Sequence, residues 1–368
     1  MIPVLQLLVS TRTGGGPQHV LTLCRHLRSR GVEPVVAGPR DGPLFERFRE
    51  ERFETIELGT DRLSGRTLGR LVRLIGARGV RLVHSHGKGA GLYGRLAARA
   101  RGISAVHTFH GIHFEGYSAP ARAAYLALER ALARWTAAII NVSRAQETEG
   151  LALRLFTSAQ SHVILNGIDL AALLAKALGR DAARAALGVP PGARVVGCAA
   201  RLDPVKGVDA LLRASAEVPG VDIVVIGAGP EETRLRRLAA ALGLAGRARF
   251  AGEVADAATR FRAFDVYVSA ARKEGMPLAI MEAMALGLPV VATDIAAHRE
   301  VLGRSAPLAG PDGLGPLLAD LLADPGARRE LGEANRKGAA EFEAALMADR
   351  IVALYGRVLG HDVGVLGM

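Results

Sequence analysis

The chain has 368 residues, 49% hydrophobic and 23% charged, a balance that excludes disorder and a length that suits two domains of ordinary size. Its two cysteines, Cys24 and Cys198, stand far apart with no Cys/His spacing, which excludes a disulfide scaffold or structural zinc and fits a reducing cytoplasm. The net charge of +11 is uneven, with 23 Lys+Arg against 13 Asp+Glu in residues 1–169 and 24 against 23 in residues 170–368. A basic first half suits an anionic partner: nucleic acid, phospholipid headgroups or a phosphorylated acceptor. It also suits plain arginine-rich, solvated helix faces.

The opening MIPVLQLLVS has no basic leader and no cleavage site, so Pro3–Val9 reads as a buried first strand. Strand-length apolar runs follow at Glu33–Gly38, Leu82–His84, Ala105–Thr108, Ala138–Val142 and His162–Leu165. Between them lie helices near Gln18–Arg30, Leu68–Arg78, Gly91–Arg101 and Arg122–Arg134. This alternation is the rhythm of a parallel sheet covered on both faces.

An Ala/Leu-rich stretch after Asn166-Gly167-Ile168-Asp169 runs to Pro190-Pro191-Gly192, and the rhythm then restarts. Strands are expected at Arg194–Ala199, Asp222–Ile226, Arg249–Ala251, Val266–Ser269 and Pro289–Thr293, with helices at Gly207–Glu217, Glu231–Leu242, Pro277–Leu286 and Gly315–Leu322. The expected architecture is α/β: two Rossmann-like domains, 1–169 and 170–343, facing a central cleft. A last amphipathic helix, Ala344–Leu359, within 344–368 is expected to cross back onto the first domain. No apolar run reaches the roughly 18 residues a membrane-spanning helix needs, so membrane contact is expected to be peripheral. Ligands of such sheets bind beyond the carboxyl ends of the strands, where helix N-termini favour phosphate.

Four motifs fall at those ends. Glu274 and Glu282 flank the start of a helix at Pro277; two carboxylates there suit vicinal hydroxyls rather than phosphate, although the spacing also fits a cap and a solvated helical Glu. Arg201 and Lys206 follow the strand ending at Ala199 and precede a helix. They place two cations where a diphosphate leaving group would be neutralised, and an Asp203–Lys206 surface pair is the plainer reading. Thr13-Gly14-Gly15-Gly16-Pro17 follows the first strand and lets backbone approach a phosphate or sugar; it is not GxGxxG, and the second strand ends in Gly38, which disfavours a nicotinamide dehydrogenase. His107 and His110 close one strand, and His84 and His86 the one before. These histidines lack the carboxylate or catalytic Glu spacing of a zinc site, and the chain holds no Asp-x-Asp triplet, so no metal is expected and one neutral imidazole is read as a partner for a sugar hydroxyl.

In order along the chain, these features resemble the family 4 glycosyltransferases over nearly its whole length: Gly14-Gly15-Gly16, Thr108-Phe109-His110-Gly111, Asn141-Val142-Ser143, Asn166-Gly167-Ile168-Asp169, Arg201 with Lys206-Gly207, Gly227-Ala228-Gly229-Pro230, Gly252, the Glu274/Glu282 pair and Ala283–Ala292. The resemblance implies a GT-B fold and a metal-independent, retaining transfer from a nucleotide diphosphate sugar, UDP- or GDP-linked, with no other cofactor. It implies that Arg201 and Lys206 hold the diphosphate, Glu274 the transferred sugar and Glu282 the ribose. The backbone of Gly275, Met276, Pro277 and Leu278 would cradle sugar and phosphate, with the N–H groups of the three residues other than proline as donors, His110 would contact the sugar, and Gly15 and Gly16 would approach the phosphate on closure.

The segment His110–Tyr117 looks like members that build surface polysaccharides on polyprenyl-linked acceptors. With it goes a basic stripe of Arg62, Arg66, Arg70 and Arg73 opposite Leu68, Leu71, Val72 and Ile75, fit either for an anionic cytoplasmic membrane face or for an ordinary surface helix. Where relatives often carry a Thr-Gly-Leu-Leu turn, this chain reads Gly303-Arg304-Ser305-Ala306-Pro307-Leu308. The competing function is a polyanion- or nucleic-acid-binding protein using the basic half. It would predict aromatic platforms among the arginines, but the aromatics are few and scattered. A phosphorylase would need a marked lysine for pyridoxal phosphate, and none stands out.

Overall fold

The computed structural model describes residues 1–60, 64–112, 114, 116–303 and 306–360. Arg62, His113, Glu115, Arg304 and Ser305, which entered the sequence reading, lie outside the described residues. The chain divides into two compact units, Met1–Gly167 joined by the segment from Ala344 onward, and Ile168–Glu343.

The first unit is a parallel sheet of β1 (Ile2–Leu8), β2 (Val32–Gly38), β3 (Glu54–Glu57), β4 (Leu82–His86), β5 (Ser104–Phe109), β6 (Ala138–Asn141) and β7 (Ser161–Val163), in the order β3-β2-β1-β4-β5-β6-β7. Its central strands are buried nearly throughout, as continuous apolar strands covered on both faces should be. The register sets Leu8 beside His86 and His86 beside Thr108. The fourth strand runs two residues past the expected Leu82–His84, so that the polar run His84-Ser85-His86 closes it inside the sheet. Ser85 reaches His107 Nδ1 at 2.9 Å and His84 finds Tyr355 and Thr108 at 2.6 Å each, so these groups are buried with partners. The edge strand Glu54–Glu57 was missed because its ends are exposed and it lacks an apolar run.

The helix Ala344–Leu359 belongs to this unit. Its Met347, Ile351, Leu354 and Tyr355 join Val4, Leu23, Leu82 and Val106 in one cluster, and full burial of each such side chain stabilises the fold by about 1.5–3 kcal/mol. At its start the Gly167 amide donates to Met347 Sδ at 3.1 Å, and Arg30 pairs with Asp349 at 2.6 Å.

The second unit is a parallel sheet of β8 (Arg194–Ala199), β9 (Val221–Ile226), β10 (Ala248–Gly252), β11 (Val266–Ser269), β12 (Val290–Thr293) and β13 (Leu308–Ala309), in the order β10-β9-β8-β11-β12-β13. The Ala/Leu-rich stretch forms two short helices, Leu170–Lys176 and Arg180–Ala186, within this unit. Arg184 fixes the second of them by donating to Ala263 O and Asp265 at 3.2 Å each. The helix Pro325–Gly338, unforeseen, carries a readable start: Asp324 caps it and proline occupies its first position.

Strand order reverses once in each sheet, between β1 and β4 and between β8 and β11. Such switch points open a crevice at the carboxyl ends of the strands. Among the described residues, no helix is long and apolar enough to cross a membrane.

Candidate active site

In the second unit the loop after β8 carries Arg201 and Lys206, and the loop after β11 carries Glu274. The amides of Ala200 and Leu202 donate to Ile226 O and Ala228 O at 2.9 Å each, which ties the first loop to the end of β9. Gly207 closes it at φ +64°, and a Cβ there would stand 1.9 Å from Ala270 O. Only glycine allows the loop to press on the end of β11 this way.

Asp203 accepts the Val205 and Lys206 amides at 3.1 and 3.2 Å and pairs with Arg201 at 2.5 Å. The alternative Asp203–Lys206 pair is therefore not formed, because the Asp203 carboxylate is consumed as a turn cap and by the guanidinium. Arg272, unremarked in the sequence, clamps the two loops: its amide donates to Val205 O at 2.7 Å, and its guanidinium reaches Pro204 O at 2.5 Å and both Asp209 oxygens at 3.0 and 2.8 Å.

The outcome is that Lys206 Nζ sits 2.6 Å from Glu274 Oε1, the side chains 24% and 15% exposed. Directly after Glu274, Gly275, Met276 and Pro277 are buried, and the helix Leu278–Ala285 begins with Pro277 as its N-cap. Its first amides have no acceptor within the helix, so Gly275–Leu278 lie where such donors and the positive helix end converge. Glu282 stands one turn into that helix. Burial first, then the Asp256 carboxylate, pushes its pKa up to about 7, the direction expected of a half-buried carboxyl facing another.

Two further groups line this place. The Tyr267 hydroxyl bridges the end of β8, accepting the Ala199 amide at 3.2 Å and donating to Ala199 O at 3.3 Å. His298 contacts Ser269 Oγ at 3.2 Å and Thr293 O at 2.7 Å, and burial, partly offset by the Thr293 bond and by Glu274, lowers its pKa. Neither belongs to a motif with a readable spacing.

In the first unit Gly15 and Gly16 open the helix Gly15–Leu27 after β1. The His110 ring lies over Gly16, its Cδ2 3.4 Å from where a Cβ would stand. His86 Nδ1 is 3.1 Å from His110 Nε2, and His86 Nε2 is 3.0 Å from Gln6 Oε1. His19, from the apolar face of the helix, completes a cluster with His86 and His110 in which one nitrogen of each ring lies within 4.8 Å of the others. Burial lowers His19 to about 4, with Asn166 opposing it, and holds His86 and His110 well below the usual imidazole range. Neither His19 nitrogen makes a hydrogen bond of normal geometry. His107 is set apart: it bonds Ser85 and packs edge-on to Phe109, a structural role.

Arg66, Arg70 and Arg73 lie exposed on the helix Gly65–Ala77, whose Leu71 and Ile75 are buried. Much of the other basic character of this unit is paired, as in Arg25–Glu51, Arg28–Glu33 and the fully buried Arg95–Glu129.

Residues 13–172 match the family model described as Glycosyltransferase Family 4, and residues 179–338 the one described as Glycosyl transferases group 1. The chain is 32% identical over 304 residues to the D-inositol 3-phosphate glycosyltransferase of Mycolicibacterium gilvum, an alignment covering 76% of this chain and 66% of that protein. It is 30% identical over 313 residues to the protein of that name from Mycobacterium tuberculosis, covering 76% of this chain and 62% of that protein. The chain thus spans just under two thirds of the length of these curated relatives. Among solved structures, Anabaena HepE in complex with UDP and glucose aligns with a TM-score of 0.86 at 21% identity, covering 97% of this chain and 100% of that one. Sucrose-phosphate synthase from Thermosynechococcus elongatus aligns at 0.82 and 22% identity, covering 98% and 100%. These likenesses are of fold, the GT-B fold of two parallel α/β sheets. With both family models matched in chain order, and with the cation and carboxylate motifs brought together at the second switch point, the chain belongs to the family 4 glycosyltransferases.

Proposed function

We propose that this protein is a retaining glycosyltransferase of the hexosyltransferase class, moving a sugar from a UDP- or GDP-linked donor to a lipid-linked or glycan acceptor without a metal ion. The observation that carries this reading is the Lys206–Glu274 contact at the β8/β11 switch point, beside the N-terminus of the helix Leu278–Ala285. A cation, a carboxylate and free helix amides within one crevice suit a ligand with a diphosphate at one end and hydroxyls at the other.

Arg201 and Lys206 are read as holding the diphosphate. They stabilise it most when its bond to the sugar breaks and charge grows on the departing phosphate, which is the interaction that accelerates a reaction. That phosphate then takes the acceptor proton on the same face. Glu274 accepts the sugar hydroxyls, Glu282 the ribose hydroxyls, and the Gly275, Met276 and Leu278 amides donate to sugar and phosphate. From the first unit, His110 is read as the sugar contact and the Gly15 and Gly16 amides as phosphate contacts.

HepE was solved with UDP and glucose, which supports a UDP donor. The name of the curated relatives, with its inositol phosphate, and the net basic charge of the first half support an anionic acceptor. The exposed Arg66, Arg70 and Arg73 suit peripheral contact with an anionic cytoplasmic membrane face. The test is slow donor hydrolysis followed by proton NMR with chelator present. Release of the sugar with its original anomeric configuration is expected, and the opposite anomer, or turnover only on adding a divalent ion, contradicts the reading.

A further inference from the structure

We infer that Gln6 and Tyr355 determine which nitrogen of His110 carries the proton, so that this ring offers a bare Nδ1 to a substrate hydroxyl as a hydrogen-bond acceptor. The inference rests on the proposed function only for the identity of that hydroxyl; the tautomer itself is set by the orientation of the Gln6 amide, NH2 on Tyr355 and oxygen on His86, within an unbroken chain of contacts. His110 Nε2 lies 3.1 Å from His86 Nδ1, His86 Nε2 3.0 Å from Gln6 Oε1, Gln6 Nε2 3.0 Å from the Tyr355 hydroxyl, that hydroxyl 2.6 Å from His84 Nδ1, and His84 Nε2 2.6 Å from Thr108 Oγ1. Gln6, His84 and Tyr355 are fully enclosed, so water does not compete for the bonds among these three.

An amide oxygen only accepts, so His86 must donate through Nε2. Burial and the neighbouring imidazoles keep His86 neutral, and a neutral ring has one N–H, which makes His86 Nδ1 an acceptor. It faces His110 Nε2, which must then be the donor. His110 is neutral for the same reason, so its Nδ1 is bare, and among the described residues Nδ1 makes no hydrogen bond with the protein.

The chain of bonds has two self-consistent polarities. Turning the Gln6 amide over would reverse every donor and acceptor and leave His110 presenting an N–H instead. The amide is oriented with its NH2 on Tyr355, and that hydroxyl gives its own proton to His84. The two residues are thus positioning residues. They come from opposite ends of the chain, the first strand and the last helix, so the returning helix takes part in setting the chemistry of the site as well as covering the core. A hydroxyl donating to Nδ1 is held by its proton, and a substrate whose corresponding oxygen is methylated or absent loses the contact.

The test uses the full chain with 15N-labelled histidine. Long-range 1H–15N spectra distinguish protonated from bare ring nitrogens, and His110 is assigned by its loss in His110→Asn. The wild type is expected to show a bare Nδ1 and a protonated Nε2 on both His110 and His86. Tyr355→Phe releases the amide; both His110 tautomers are expected, with kcat down about tenfold and nucleoside diphosphate affinity unchanged. Gln6→Glu offers only acceptor oxygens to His86 and is expected to keep the wild-type tautomer. A protonated Nδ1 on wild-type His110 overturns the inference, whether or not the protein binds nucleotide sugar. So does a Tyr355→Phe variant with unaltered spectrum and turnover, or a zinc addition that shifts His19, His86 and His110 together and is reversed by chelator, since a metal would then fix the rings. Absence of any nucleotide binding with the expected tautomer present removes the proposed function and leaves the inference standing.

Discussion

Lys206 Nζ lies 2.6 Å from Glu274 Oε1 across 68 residues of sequence, because the loops that carry them leave adjacent strands, β8 and β11, at the point where the sheet order reverses. In the free protein each side chain occupies the other's charge. If Lys206 serves the diphosphate and Glu274 the sugar, the two must exchange partners when donor binds. Glu274→Gln frees the ammonium, so a nucleoside diphosphate without its sugar is expected to bind about 2–5-fold tighter, while turnover of the nucleotide sugar falls by about 100-fold or more. Lys206→Ala is expected to weaken the same nucleoside diphosphate by about 10–100-fold. Calorimetry and steady-state rates on the two variants check this. Equal weakening of the nucleotide in both would mean that the residues do not have separate roles.

Glu282 makes stability depend on pH in a stated direction. Its carboxyl titrates near 7 in the fold against an ordinary 4.5, so the folded chain holds a proton that the unfolded chain has released. The contribution is full below 4.5 and is lost as pH rises through 7. Glu282→Gln stays neutral throughout. It is expected to melt higher than the wild type at about pH 8, by on the order of 1–3 kcal/mol, and to match it near pH 4.5. Equal melting temperatures at the higher pH would mean the carboxyl is not desolvated.

The same residue ties donor binding to pH. Ribose hydroxyls donate to a carboxylate better than to a carboxylic acid, so nucleotide affinity is expected to fall as pH drops from about 8 to about 6, by at most about tenfold per unit. In Glu282→Gln the affinity should be lower and flat over that range. A flat profile in the wild type separates Glu282 from the nucleotide.

Gly207 and Arg272 hold the two loops in register. Gly207→Ala forces a Cβ into Ala270 O at a left-handed φ and is expected to cost about 2–4 kcal/mol together with donor binding. Arg272→Ala removes a clamp whose guanidinium is half exposed, so only about 1 kcal/mol of stability is at stake. Its larger expected effect is on kcat/KM, about 10–100-fold, because a loop displacement near 1 Å spoils alignment. Unchanged kcat/KM in Arg272→Ala would show that the loops keep their register without it.

Much of this was legible in the sequence, for identifiable reasons. The strands of β8 and β11 are buried on both faces and read as continuous apolar runs, Val195–Ala199 and Val266–Ser269, and the motifs sit one loop beyond them. Glu54–Glu57 escaped notice because an exposed edge strand carries no such run. His84–His86 was cut short because polarity masks a strand whose side chains find their partners elsewhere in the fold. The contacts that support His86 and the loop of Lys206 from behind were out of reach for another reason. Gln6 meets Tyr355 across 349 residues and Arg272 meets Asp209 across 63, and neither pairing leaves a local pattern. His19 likewise sits on an ordinary apolar helix face, with nothing in its neighbours to distinguish it.

The proposed function requires that the second unit bind a nucleotide diphosphate through Arg201 and Lys206 without a metal. Isothermal titration of UDP and of GDP into the full chain, with chelator present, is the experiment to make. Saturable binding of one of the two at a single site, unaltered by chelator and lost in Arg201→Ala and Lys206→Ala, is the result predicted. If neither nucleotide binds the wild type while nucleic acid or anionic vesicles do, the donor site does not exist and the basic first half carries the function instead.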